Sequence, residues 1–177
     1  MFQSAAQSGG FVAGIVIGLI LVVFLFKFAN INHRAKTQYD ERQKEIRGQA
    51  YQYAFYTLIG FEVLMLLLEV CEIRIPMQNY LLHFAGILIG CIVLACYCIW
   101  HDVYWGLNNN RKRYALIFLA AAVLNAIPVI GALMHGGLME DGVFTAAVLN
   151  VMVLIMMAVI GIMLLIKHFA DRSEVES

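Results

Sequence analysis

The chain has 177 residues, of which 62% are hydrophobic and 14% are charged, and its formal net charge is zero. Soluble domains are about 45–50% apolar and about 25% charged, so this composition indicates a membrane protein. The zero net charge gives no argument for a nucleic-acid or acidic partner, and the apolar character leaves no room for a separate soluble catalytic module. We expect residues 1–177 to form a single membrane domain.

Five apolar runs are long enough to cross the hydrocarbon core of a bilayer, which takes about 20 residues of helix. Helices are expected because unpaired backbone groups cannot face lipid. The predicted spans are residues 11–28, 51–71, 80–100, 114–134 and 143–166. The sequence therefore predicts an all-α integral membrane bundle of five transmembrane helices, followed by a polar tail over residues 172–177.

The first span carries a glycine at every fourth position, namely Gly10, Gly14 and Gly18. Small residues at this spacing form a flat face that another helix can approach closely. We expect this face to pack against another span of the same molecule, with a homodimer interface as the alternative. No Lys or Arg precedes the span, so we expect it to remain as an anchor rather than to be cleaved as a signal peptide.

The segment before the second span is charged, rich in helix-forming residues and free of proline. It predicts one continuous helix over residues 36–70, whose first third extends into the cytoplasm. Asp40, Glu41, Arg42 and Arg47 belong to this extension.

Lys and Arg residues are concentrated before the second span, before the fourth span and after the fifth. Cytoplasmic loops collect Lys and Arg, and only Arg74 lies on the opposite side. We therefore expect the N-terminus outside and the C-terminus inside, and an odd number of spans independently requires opposite termini.

Glu62 is an acidic residue within the second apolar run. It lies on the order of 16 Å into the span at about 1.5 Å per residue, near the bilayer centre, where a carboxylate is costly and suggests function. Asn125 lies at a similar depth in the fourth span, and Asn150 lies in the fifth. Either Glu62 binds a cation or carries a proton in a small transporter, or it is protonated and hydrogen-bonds Asn125 to fix the bundle.

His83 and His135 lie at the outer ends of spans, at the level of several carboxylates. His and carboxylate groups can ligate divalent metals, but no pair has tight ligand spacing, so we expect these side chains to face water without a metal. The chain has no phosphate-binding glycine loop, zinc-protease motif or nucleophile elbow. We expect no cofactor and no enzymatic activity.

The stretches DERQKEIRGQAYQYAFYTL (40–58) and HDVYWGLNNNRKR (101–113) resemble elements of small, largely uncharacterised multi-span bacterial membrane proteins. That resemblance implies the cytoplasmic (inner) membrane of a bacterium and two facing cytoplasmic elements, and it implies no reaction. Members of this group often accompany small helix-turn-helix regulators.

We therefore expect an accessory or signalling membrane protein that docks a protein partner, or a second copy of the chain, through its cytoplasmic face. The alternative is a small solute or ion transporter that uses Glu62. The residues expected on the docking face are Asp40, Glu41, Arg42, Arg47, Asp102, Arg111 and Arg113. Asp102 is expected to pair with Arg47 or with the arginines at 111–113, and those arginines are also suited to anionic lipid.

Overall fold

The computed structural model describes residues 5–34 and 36–175. Apart from one short hairpin and the connections between elements, the described chain is helical. Its elements are α1 (Ala5–Ala29), α2 (Glu41–Val70), α3 (Asn79–Trp100), α4 (Arg111–His135), β1 (Met139–Glu140), β2 (Val143–Phe144) and α5 (Ala147–Val175). Four of the helices, α2 to α5, are long and apolar enough to cross a membrane, and α1 contributes the shorter apolar stretch Val16–Ala29.

The chain divides into two compact units. The small unit comprises Met1–Tyr39 and Trp105–Ile117, and the large unit comprises Asp40–Tyr104 and Phe118–Ser177.

In the large unit, α2 packs against α3, and α3 packs against α5. The two helices approach closely at Gly86, where a Cβ atom would lie 2.6 Å from the Cδ1 atom of Phe61, whereas a Cβ atom at Gly90 would be in ordinary contact, 3.5 Å from the carbonyl oxygen of Ala54. Two small clusters of buried side chains form the core of this unit. They are Ala50 with Cys98 and Val103, and Ala95 with Ile99 and Ile160.

The small unit is held by asparagine side chains. Asn30 is fully buried, and Asn108 is 6% exposed. Asn109 donates to the Oδ1 atom of Asn30 at 2.6 Å, while Asn108 donates to the Lys36 carbonyl at 3.1 Å and accepts from the Gln38 amide at 2.8 Å. These bonds join the end of α1 and the segment after it to the loop that precedes α4.

The expected helix over residues 36–70 begins later, at Glu41. The residues just before Glu41 bind the loop that precedes α4 instead: the amide of Leu107 donates to the Gln38 carbonyl at 2.8 Å. Asp40 then caps the helix: its side chain accepts from the Gln43 amide at 2.6 Å, and the Gln43 side chain accepts from the Asp40 amide at 3.3 Å. This reciprocal pair is a capping box, which satisfies free amides of the first helical turn.

The fifth predicted span also has different bounds. Val143 pairs with Glu140 in the β1–β2 hairpin, and Thr145 donates to the Gly137 carbonyl at 2.6 Å, so the helix begins at Ala147. At its other end α5 continues to Val175, so the residues expected in a polar tail are helical up to that point.

The surroundings of the glycine face of α1 are described at Gly18. A Cβ atom there would have nothing within 4 Å. Since α1 and most of the other spans belong to different units, the expected packing of this face stays a prediction. Gly10 and Gly14 lie outside the residues whose surroundings the structure describes.

Candidate ligand-binding cavity

A cavity of about 590 Å³ opens beside the connection between α2 and α3. Its polar wall residues are Glu62, Glu69, Glu72, Arg74, Asn79 and His83, and the rest of the wall consists of Leu, Ile and Met side chains. Small-molecule sites have volumes of about 300–1,000 Å³ and combine apolar walls with a few polar groups. The cavity therefore has the size and lining of a ligand site.

Glu62 and His83 form the polar pair that lies furthest from the α2–α3 connection. The Oε2 atom of Glu62 is 2.8 Å from the Nδ1 atom of His83, and their side chains are 36% and 56% exposed. Gly86, almost one helical turn after His83, leaves room for this arrangement. A Cβ atom there would lie 2.6 Å from the Cδ1 atom of Phe61 and 3.3 Å from the Oε1 atom of Glu62.

The outer part of the wall is shaped by the end of α2. The amide of Ile73 donates to the Leu68 carbonyl at 2.9 Å, and the amide of Glu72 donates to the Glu69 carbonyl at 3.0 Å. These two bonds form a Schellman motif, in which the residue after the cap adopts a left-handed conformation and is usually glycine. Here that residue is Glu72, with φ of 56°, so a carboxylate occupies a strained backbone position on the cavity wall.

The connection that completes the wall is attached to the β1–β2 hairpin. The amide of Phe144 donates to the Pro76 carbonyl at 3.1 Å, and Met77 and Phe144 form an isolated parallel β-bridge. Because the backbone of the connection is bonded to the hairpin, the residues it carries on the cavity wall have a defined position.

The charges on the wall favour a cationic ligand. Three carboxylates line the wall, whereas its basic groups are Arg74 and His83, the partner of Glu62. Ionised carboxylates act only as acceptors and bind charged donors more strongly than neutral ones. Among the described residues, no three His, Cys, Asp or Glu side chains are grouped closely enough to hold a metal ion. The arrangement suits an organic cation with an apolar body better than a bare metal.

The structure distributes the expected intramembrane polar residues differently. Asn125 donates to the Ala121 carbonyl one turn back in its own helix, at 2.8 Å, and Asn150 lies in the first turn of α5. Neither lines the cavity, so the partner of Glu62 is His83 rather than an asparagine. His135, the other histidine considered as a weak metal candidate, is the exposed last residue of α4.

Two residues of the expected docking face are engaged within the large unit. Arg47 donates to the Val103 carbonyl at 3.2 Å. Asp102 forms an ion pair with Lys167 at 3.0 Å, a partner that neither sequence alternative included. These contacts give both side chains a role in holding α2, α3 and α5 together.

Two more residues of that face have contacts in their own units. Asp40 caps α2, and Arg113 donates to the Phe28 carbonyl at 3.0 Å, with its guanidinium 5.3 Å from the centre of the Phe28 ring. The remaining residues of the expected face, Glu41, Arg42 and Arg111, are exposed.

Sequence reasoning missed His83 as the partner of Glu62. The signal was present, because two helices joined by a short connection run antiparallel and are neighbours in most cases. Glu62 lies eight residues before the end of α2 and His83 lies four residues after the start of α3. That offset of about one helical turn is small enough for two long side chains to meet.

No protein-family model matches the chain, and neither a curated protein nor a solved structure matches it. The resemblance to small bacterial multi-span proteins therefore stays a prediction.

Proposed function

We propose that this chain is a multi-pass protein of the cytoplasmic membrane of a bacterium, with its N-terminus outside, that binds a small organic cation in the Glu62 cavity. The observation that carries the proposal is the cavity itself, with three carboxylates on a wall that is about half apolar. The function is binding, as a receptor or as the first step of transport, rather than catalysis.

Membrane insertion is supported by four helices of sufficient length and apolarity. The apolar windows of α2 and α4 have no buried residues within the protein, which suits side chains that contact lipid. The orientation is supported by the distribution of Lys and Arg, and it opens the cavity to the side opposite the cytoplasm.

Access to Glu62 favours ligand binding over a purely structural role. A protonated Glu62 that only locks the bundle would be expected inside a helix–helix interface, because removal from solvent favours the neutral carboxyl group. Instead the carboxylate is 36% exposed, is paired with a histidine, and lines an open cavity.

The test uses tetraphenylphosphonium as the cationic probe and triphenylphosphine oxide as a neutral probe of similar shape. We expect the purified chain to bind the cation and not the neutral compound. Glu62→Gln should weaken cation binding about tenfold, because it removes one negative charge near the cation, an attraction of about 1.4 kcal/mol. Glu140→Gln is the matched control, since Glu140 is an exposed carboxylate on β1 that does not line the cavity.

Equal affinity for the two probes would refute the proposal. If Glu62→Gln lowers only the unfolding temperature and leaves cation binding intact, the locking role is correct. Uptake of the cation into proteoliposomes, lost in Glu62→Gln, would extend binding to transport.

A second candidate function is the docking of a protein partner on the cytoplasmic side. It is favoured by Glu41 and Arg42, which are exposed on a helical turn whose start is fixed by the Asp40 capping box. Reversing both charges, Glu41→Arg with Arg42→Glu, should abolish co-purification of a partner from native membranes while insertion is unchanged. Unchanged co-purification would refute docking at this turn.

A further inference from the structure

The small unit has a one-sided charge. It contains six Lys and Arg residues and no Asp or Glu, although the whole chain has equal numbers of each sign. The six residues are Lys27, Arg34, Lys36, Arg111, Lys112 and Arg113. The small unit therefore carries a net positive charge.

The basic residues stand on a fixed backbone. Asn30 and Asn108 are buried, and their side chains bridge the segment after α1 to the loop before α4. Gly106 permits this close crossing, because a Cβ atom there would lie 2.7 Å from the Gln38 carbonyl oxygen. Among the described residues, no buried side-chain nitrogen or oxygen lacks a hydrogen-bond partner, so this asparagine network is complete without a ligand.

Most of the basic side chains are available. Arg113 is engaged with the Phe28 carbonyl, whereas the other five are exposed. In the described part of the chain, ion pairs join Glu62 to His83 and Lys167 to two aspartates. None of the five exposed basic residues takes part in them.

The start of α4 adds a specific demand for an anion. Arg111 and Lys112 lie in its first turn, where no acidic residue is present. Positive charges are unfavourable at a helix N-terminus because the helix dipole is positive there. An anion held between these side chains would relieve their repulsion and interact favourably with the same end of the helix.

The apolar surface of α1 next to these basic residues indicates which kind of molecule carries the anion. Lys27 lies in the last turn of α1, directly after a stretch in which large apolar side chains from Val16 to Phe26 are exposed. A ligand that meets both surfaces has an anionic phosphate group and long hydrocarbon chains. A lipid beside α1 brings its phosphate to the basic side chains while its hydrocarbon chains meet the apolar surface, whereas a free phosphate or a nucleic acid supplies only the anion.

We propose that the small unit is a binding site for anionic phospholipid, with the headgroup phosphate on Arg34, Lys36, Arg111 and Lys112 and the acyl chains along α1. This lipid site shares no residue with the cation cavity, but the proposal rests on the membrane insertion proposed above. Alkaline extraction of membranes tests insertion separately, so failure of one proposal can be told from failure of the other.

The test is native mass spectrometry of the full chain in an uncharged detergent, titrated with phosphatidylglycerol or with phosphatidylcholine. We expect phosphatidylglycerol to bind preferentially. Arg111→Gln with Lys112→Gln should weaken its binding about 25-fold, since each basic residue near an anionic lipid surface contributes about a fivefold factor. Arg34→Gln with Lys36→Gln should give a similar loss and serves as the second variant if the first does not fold.

Arg42→Gln with Lys44→Gln is the matched control. It removes the same charge from the start of another helix, where Glu41 and Glu45 are interspersed, and it should change lipid binding less than about twofold because net charge alone is not the determinant. An equal loss in this control would overturn the proposal. So would equal binding of phosphatidylcholine, displacement of the lipid by an equimolar amount of inorganic phosphate, or preferential binding of a short RNA.

Discussion

Replacing Glu72 by glycine tests whether the cavity wall stores backbone strain. Glu72 has φ of 56° at the end of α2, and the left-handed conformation costs an L-residue with a side chain about 1–2 kcal/mol. Glycine lacks this cost but loses more backbone entropy on folding, about 0.5–1 kcal/mol. The difference predicts a net stabilisation of about 0.5–1 kcal/mol.

The assay is thermal unfolding of the purified chain in detergent micelles. For a chain of this length, 1 kcal/mol shifts the unfolding temperature by about 2–4 °C, so Glu72→Gly should raise it by about 1–4 °C. The same variant should bind tetraphenylphosphonium more weakly, by about two- to fivefold, because one partly solvated carboxylate is worth at most about 1 kcal/mol.

Glu69→Gly is the matched control for this prediction. Glu69 is on the same wall but lies inside α2, where glycine costs up to about 1 kcal/mol. The two variants should therefore weaken cation binding alike and shift the unfolding temperature in opposite directions. If Glu72→Gly lowers the unfolding temperature as Glu69→Gly does, the strain argument is wrong.

Two further predictions concern positions where contacts are tight. Gly86→Ala should destabilise the chain by about 1–3 kcal/mol through overpacking, because its Cβ atom would lie 2.6 Å from an aromatic ring carbon; Gly60→Ala, with nothing within 4 Å, should be neutral or stabilising in the same thermal assay. Asn108→Ala should leave the Lys36 carbonyl without its side-chain partner and cost about 2 kcal/mol, visible as faster hydrogen exchange in the segment after α1. Asn32→Ala removes only one of the three side-chain hydrogen bonds of Asn108 and should have a smaller effect; equal protection in the two variants would contradict the role given to Asn108.

The positions of the helices could be predicted well from the sequence. The spans predicted over residues 80–100 and 114–134 correspond to α3 (Asn79–Trp100) and α4 (Arg111–His135). Length and apolarity are properties of a continuous stretch of chain, so they require no knowledge of neighbouring elements. The predicted starts of α2 and α5 were less accurate. The residues expected in their first turns form hydrogen bonds with other segments of the chain and therefore lie outside the helices.

The candidate site depended on the tertiary structure. Glu62 could be singled out from the sequence because it lies in the middle of an apolar run. The adjacency of the two helices made His83 a candidate partner, but the contact itself could not be predicted. His83 meets it because Gly86 lets α3 approach α2 closely at that level. Glu72 joins the same wall because the chain reverses in a left-handed conformation that nothing in its residue type required.

The sequence by itself determined which segments are helical and apolar, since both properties follow from local composition and spacing. Which polar side chains meet was decided only by tertiary structure, because side-chain pairing depends on the register and distance between packed helices. A single glycine, such as Gly86, lets two helices come closer than a larger residue would allow. The periodicity of apolar residues along the chain does not reveal that distance.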